Sequence, residues 1–177
     1  MSKIHEHLKI KLPIWSAGMG LGIAGSALTS AVSNAGGLGV LGLGGMAPDM
    51  MRAVIADTRH KTSRAFGVNI IMPLMVPGQI EMCYDENVPL LVLFWGDPSD
   101  YVKDAHKRGM LVVSQCGDVD EAVRVADAGV DGVIVQGTEA GGHVKATRPL
   151  ADVVRETVAE LASIPVIASG GIATGKD

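Results

Sequence analysis

His143 closes the run Thr138-Glu139-Ala140-Gly141-Gly142-His143. An imidazole there can exchange a proton near neutral pH, and its small neighbours leave room for a bound molecule. The bland alternative is a histidine hydrogen-bonded within a loop. Three neutral amides, Asn69, Gln115 and Gln136, each stand at or just beyond the end of a β-rich run. Such amides can match the carbonyl and ring-nitrogen edges of a planar ring, or merely tie down a loop. Glycines gather at the same kind of position: Gly18, Gly20 and Gly22; Gly42, Gly44 and Gly45; Gly137, Gly141 and Gly142; Gly170 and Gly171. Without Cβ the backbone can approach a ring or a phosphate closely. One pair alone serves equally to make a turn, but four clusters on one rim point to a ligand.

Other chemistries find less support. The G-x-G-x-G run from Gly18 to Gly22 imitates a dinucleotide fingerprint, yet no acidic residue ends the next strand, where Leu41 to Gly45 is neutral. No serine sits in a G-x-S-x-G elbow. His5, His7, His60 and His106 read as solvated residues of an N-terminal tail or of polar helix faces, and no histidine and carboxylate set has metal-ligand spacing, so no metal site is expected. Cys83 and Cys116 lie in unrelated segments, which suggests neither a disulfide nor zinc, and both are expected to be reduced.

These residues need a scaffold that brings strand ends together. Buried strands are predicted at Leu12 to Ala17, Leu38 to Leu43, Ala65 to Ile71, Pro89 to Phe94, Met110 to Ser114, Gly132 to Gln136 and Ile164 to Ser169. Amphipathic helices are predicted at Pro48 to Thr58, Pro98 to Arg108, Val119 to Ala128 and Leu150 to Ala162. Asp118 and Ser99 sit where N-caps belong, and Gly109 and Gly129 where left-handed helix ends belong. Strands apolar on both faces, alternating with helices, imply a parallel α/β sheet whose ligand site lies at the carboxyl ends of the strands. The rhythm fits a (β/α)₈ barrel and also a doubly wound open sheet.

The chain has 177 residues, 47% of them hydrophobic and 19% charged, which suits one globular domain over residues 1–177. A net charge of -4 offers no basic surface for nucleic acid, though backbone N–H groups can hold a single phosphate. No apolar run is long enough for a membrane span, so a cytoplasmic location is expected by default. A complete barrel takes about 250 residues. With seven predicted strands the barrel is expected to be truncated before its eighth strand, and its unpaired edges invite association into a homo-oligomer.

Taken in order, Pro13-Ile14 leading to Ala17-Gly18-Met19, Ala31 to Gly39, Phe66-Gly67-Val68-Asn69, Gln136 to His143 and Ile164 to Ala173 resemble the nitronate monooxygenase (2-nitropropane dioxygenase) family along nearly the whole chain. That family also holds FMN-dependent enoyl-acyl-carrier-protein reductases and NAD(P)H:quinone reductases. The resemblance implies a TIM-type barrel with non-covalent FMN over its carboxyl rim. It further implies that Ala17, Gly18 and Met19 touch the flavin ring and that Asn69, Gln115 and Gln136 hydrogen-bond it. Ala140 and Gly141 would line the ring, and Ser169, Gly170 and Gly171 would cradle the phosphate. His143 matches the family's active-site histidine, placed to stabilise a nitronate or to take the α-proton of a nitroalkane, with O2 as the final oxidant.

The departures are specific. Gly18 stands where the family usually has proline, and Val144-Lys145-Ala146 follows neither the Arg-Gly of the monooxygenases nor the pattern of the reductases. The aromatic run Leu93-Phe94-Trp95-Gly96-Asp97-Pro98 is nearer the monooxygenases. The expectation is therefore nitronate oxidation. The alternatives are an NAD(P)H-driven reductase of enoyl thioesters or quinones, and a non-catalytic fragment.

Overall fold

The computed structural model describes residues 2–177. In chain order it forms α1 (Lys3–Leu8), α2 (Ser26–Asn34), β1 (Gly39–Gly42), α3 (Pro48–Lys61), β2 (Phe66–Ile71), α4 (Gln79–Asp85), β3 (Leu90–Phe94), α5 (Ser99–Lys107), β4 (Leu111–Cys116), α6 (Val119–Asp127), β5 (Gly132–Gln136), α7 (Leu150–Glu160) and β6 (Val166–Ser169). The strands pair in chain order, each parallel to the next. Nearest-neighbour order with a helix in every crossover makes an arc of a (β/α) barrel, because a doubly wound sheet would reverse its strand order partway.

Side chains alternate across the arc. Outward residues such as Leu41, Val68, Leu91, Val112 and Val135 pack under Met51, Ile55, Val102, Val125 and Val153 of the helices. Inward residues Val40, Leu90, Val92, Val113 and Ile134 form a second core with Ile4 and Leu8 of α1. A Cβ on Gly132 would lie 2.7 Å from Ile4 Cδ1, so α1 covers the amino ends of the strands. Burying each of these aliphatic side chains is worth roughly 1.5–3 kcal/mol. The carboxyl ends are thereby left as the face for chemistry.

Most predicted elements form with shifts at their ends. Asp118 caps α6 by accepting from the Glu121 N–H, and Gly109 and Gly129 adopt φ of 73° and 90° just past α5 and α6. Ser99 is not a cap: it is the first residue of α5, and the Asp97 carboxylate takes its backbone N–H. The predicted strand Leu12 to Ala17 does not form either. Trp15 makes only an isolated parallel bridge to Leu38, framed by Leu38 N–H donating to Ile14 O and Ser16 N–H donating to Leu38 O. Pro13 has no N–H to extend the ladder, and residues 17–24 turn away from it. Ser16 Oγ accepts from the Val40 N–H instead. With this bridged segment counted as the first stave, β6 is the seventh.

Three α-helices are additions to the sequence reading. Residues 3–8, read as a solvated tail, are the helix α1 that seals the inner core. In α2 the apolar stripe is replaced by Thr29, Ser30 and Ser33, all buried. Ser33 Oγ accepts from the Gly39 N–H and donates to Ala65 O, while a Cβ on Gly39 would meet Thr29 O at 2.0 Å. Small residues thus let α2 lie flat on β1. The third addition, α4, has two turns at most and falls below the length at which periodicity is legible.

Candidate functional site

At the carboxyl rim the inward positions, Phe94 apart, turn polar or small. The register sets Gly42 beside Asn69, Phe94 beside Gln115 and Gln136 beside Ser169, all on the concave face. The amides that a linear reading could only place at strand ends therefore share one surface, through the two-residue period of strands.

On one flank, residues 17–20 fold across the ends of β1 and β2. A Cβ on Gly18 would stand 2.4 Å from Asn69 Cβ, and one on Gly42 2.3 Å from Met19 O. Asn69 is buried and donates from Nδ2 to Val92 O. Ala17 and Met19 are exposed at the lip. On the other flank, Ala140 lies against Gly170, whose φ is +126°, and Glu139 lies against Gly171, with φ +67°. Between them Gln115 is half-buried and forms no side-chain hydrogen bond among the described residues. Gly141 has open space on its Cβ side.

The loop from β5 to α7 carries His143 and is closed at its base. Thr138 N–H donates to Arg148 O, the Glu139 carboxylate accepts from Leu150 N–H at 2.9 Å and so caps α7, and Arg148 grips Glu156 through both guanidinium nitrogens. Within the loop, Gln136 Nε2 donates to His143 O at 3.0 Å and its Oε1 accepts from the Lys145 N–H at 2.9 Å. Both ends of the Gln136 amide thus clamp the loop, leaving one N–H for a bound molecule. The His143 side chain is exposed and meets the Trp95 indole edge-on, ring centres 5.4 Å apart.

Trp95 was named in the sequence only as part of an aromatic run. It adopts φ of +61°, a left-handed conformation costing about 1 kcal/mol or more for a bulky residue. Stacking on Phe94 at 4.8 Å holds it there. Lys145 and Glu121 were also missed. Lys145 Nζ pairs with the buried Glu121 carboxylate, which also accepts from the Gly117 N–H at 2.8 Å. The usable signal for Lys145 was its departure from both family patterns. A cavity of ≈ 760 Å³ opens beside this loop, lined in part by Trp95, Asp97, Glu121, Arg124 and Lys145.

Other titratable groups lie away from the rim or are inert. His106, expected to be solvated, pairs with Asp131 at 2.9 Å, and Asp131 also accepts from the Val112 N–H. His5 is half-buried, hydrogen-bonded to Ser2 Oγ and tilted against Trp15. Cys83 and Cys116 are fully buried free thiols. Desolvation pushes Cys83 up to about 12 and Cys116 higher still. A thiol-specific disulfide reagent at neutral pH is therefore expected to label neither cysteine until denaturant is added; stoichiometric labelling of the folded chain would contradict this burial. Among the described residues no group of three His, Cys, Asp or Glu side chains is placed to hold a metal, and no helix is long and apolar enough to cross a membrane.

Known proteins share this fold. The structure superposes on FabK of Thermotoga maritima with a TM-score of 0.92 and 36% identity, covering 99% of this chain and 56% of that one. A nitroalkane oxidase from Streptomyces ansochromogenes gives 0.87 at 29% identity, with 96% and 61% covered. An indene-carboxyl-CoA dehydrogenase of Mycobacterium tuberculosis is 36% identical over 174 residues, 97% of this chain and 48% of the relative. A nitronate monooxygenase of Paraburkholderia phytofirmans is 30% identical over 215 residues, 95% of this chain and 58% of the relative. The chain thus spans about half the length of the curated relatives it matches. The nitronate monooxygenase family model matches residues 1–89 and 74–177. With a TIM-type barrel arc, the glycine-lined rim and a family match along its whole length, this chain belongs to the nitronate monooxygenase family.

Proposed function

We propose that this chain supplies the flavin-facing part of an FMN-dependent oxidoreductase that oxidises alkyl nitronates with O2, with His143 acting on the substrate. The observation that supports this most is the His143 and Trp95 pair at the ends of β5 and β3. It joins a proton-exchanging group to an aromatic wall at the lip of a concave face lined with glycines and neutral amides.

The rim residues fit FMN. Open space at Gly141, the close backbone approach at Gly18 and the polar edge of Gln115 suit a flat ring with hydrogen-bonding edges. Ala17, Gly18 and Met19 would cover one end of the ring, Asn69 and Gln115 would meet its edges, and Gln136 would offer its remaining N–H. Ala140 and Gly141 would line it, and the left-handed turn at Ser169-Gly170-Gly171 would hold the phosphate on backbone N–H groups. Bound there, FMN would supply the two-electron transfer between substrate and oxygen.

The protein's own part is positioning and proton handling. The imidazole of His143 would stabilise the anionic nitro end of a nitronate, or take the α-proton of a nitroalkane at a ring nitrogen. Trp95 would limit rotation of that imidazole through its edge-on contact, and Gln136 would keep the backbone beneath it from drifting.

A second reading is a nicotinamide-driven reductase of acyl thioesters. Its support is that the match to the CoA dehydrogenase extends over 174 residues, fewer than the 177 of this chain, whereas the match to the nitronate monooxygenase extends over 215. The latter relative carries inserted residues with no counterpart here. An anaerobic titration of the flavoprotein separates the two. Nitronate is expected to bleach the flavin absorbance; bleaching by NADH or NADPH with none by nitronate would overturn the first reading and favour the second.

A further inference from the structure

We propose that Lys145 and Glu121 form a latch between α6 and the loop after β5, and that this latch positions His143. The inference rests on the reading of His143 as the group that acts on substrate. Exposed and touching Trp95 at its ring, the His143 side chain takes its place from the backbone on either side of it. On the C-terminal side that backbone is held at residue 145 twice: its N–H donates to Gln136 Oε1 at 2.9 Å, and its ammonium reaches the Glu121 carboxylate. The Gln136 bond draws the loop down onto β5, and the Glu121 bond draws it sideways onto α6.

Glu121 is suited to be the fixed half. It is 5% exposed, and its second oxygen accepts from the Gly117 N–H, so the carboxylate is oriented before lysine arrives. Asp118 caps the same helix end, with its side chain accepting from the Glu121 N–H at 2.7 Å. The turn and the loop are also in contact through their backbones, since a Cβ on Gly117 would lie 3.1 Å from the Lys145 carbonyl carbon. A buried carboxylate left without its cation is costly, which makes closure of the loop the favourable state. The bond spans 24 residues of sequence and ties the first turn of α6 to the neighbouring βα loop of the rim. Lys145 and Glu121 are positioning residues: they act through the backbone of His143 and touch no reacting atom.

The test uses K145M, E121Q and K145R in the flavoprotein, with a melting curve for each to establish that it is folded. Hydrogen exchange at the amide of residue 145, which reports the bond to Gln136, is expected to quicken about tenfold in K145M and in E121Q and to stay near the parent rate in K145R. The K145M/E121Q double variant is expected to exchange no faster than either single one, because both remove the same bond. In turnover, kcat is expected to fall about tenfold with KM little changed in K145M, and to recover in K145R. Exchange within about twofold of the parent in both single variants overturns the latch. Faster exchange with unaltered kcat overturns its positioning role. A parallel H143A variant keeps the two questions apart: parent-like turnover there sinks the reading of His143 itself, while the exchange rates still decide whether the loop is latched.

Discussion

His143→Ala is expected to slow reduction of the flavin by substrate about 10²–10⁴-fold, the usual worth of a positioned acid or base. The fold should hardly notice. His143 is exposed, lies outside both apolar cores, and its structural tie, the acceptance of the Gln136 N–H, belongs to its backbone carbonyl, which alanine keeps. The measurement is stopped-flow reduction under anaerobic conditions beside flavin affinity and a melting curve. Loss of rate with flavin still bound supports a chemical role. A reduction rate within about threefold of the parent would remove His143 from the mechanism and leave it a loop residue packed on Trp95.

Gly18→Ala is expected to be strongly damaging for a change of one carbon atom at the rim. The new Cβ would stand 2.4 Å from Asn69 Cβ, closer than carbon atoms pack, and 3.0 Å from its Cγ. Neither partner can yield cheaply: Asn69 is buried on β2 with its amide bonded to Val92 O, and residues 17–20 lie over Gly42. Overpacking of this kind costs about 1–3 kcal/mol, and displacement of the loop should weaken flavin binding about tenfold or more. Proline, the residue the family usually carries there, brings the same Cβ and should do similar harm here. Adding Asn69→Gly removes the obstructing atoms, so the double variant should regain part of the stability lost by Gly18→Ala. An unchanged melting temperature in Gly18→Ala would show that the loop sits farther from β2 than the structure has it.

Much of the scaffold was legible because strands and helices announce themselves by period. The runs that became β2, β3, β4 and β5 are apolar on both faces, and the helices between them carry caps and terminal glycines that act locally, such as Asp118 and Gly129. The family resemblance was legible for a related reason, since its motifs are short runs of neighbouring residues that need no distant partner to be read. What failed was what depends on distant partners. Residues 12–17 have strand composition, yet Pro13 and the turn after Ala17 reduce them to one bridge. The helix α2 lacks an apolar stripe because its buried face is made of Thr29, Ser30 and Ser33, satisfied in part by β1 and Ala65.

The candidate site divides the same way. By itself the sequence determined that the strands are parallel, that glycines and amides end them, and that one histidine stands in that company, because strand period and turn chemistry are local properties of the chain. The tertiary structure decided what each residue does with its neighbours. It put Asn69, Gln115, Gln136 and Ser169 on one concave face through strand register, and it turned Gln136 into a clamp on the His143 loop. It set Trp95 against His143 and brought Lys145 to Glu121 across two loops. Those relations join residues far apart in the chain, and only the packing of successive βα units onto one arc makes them neighbours.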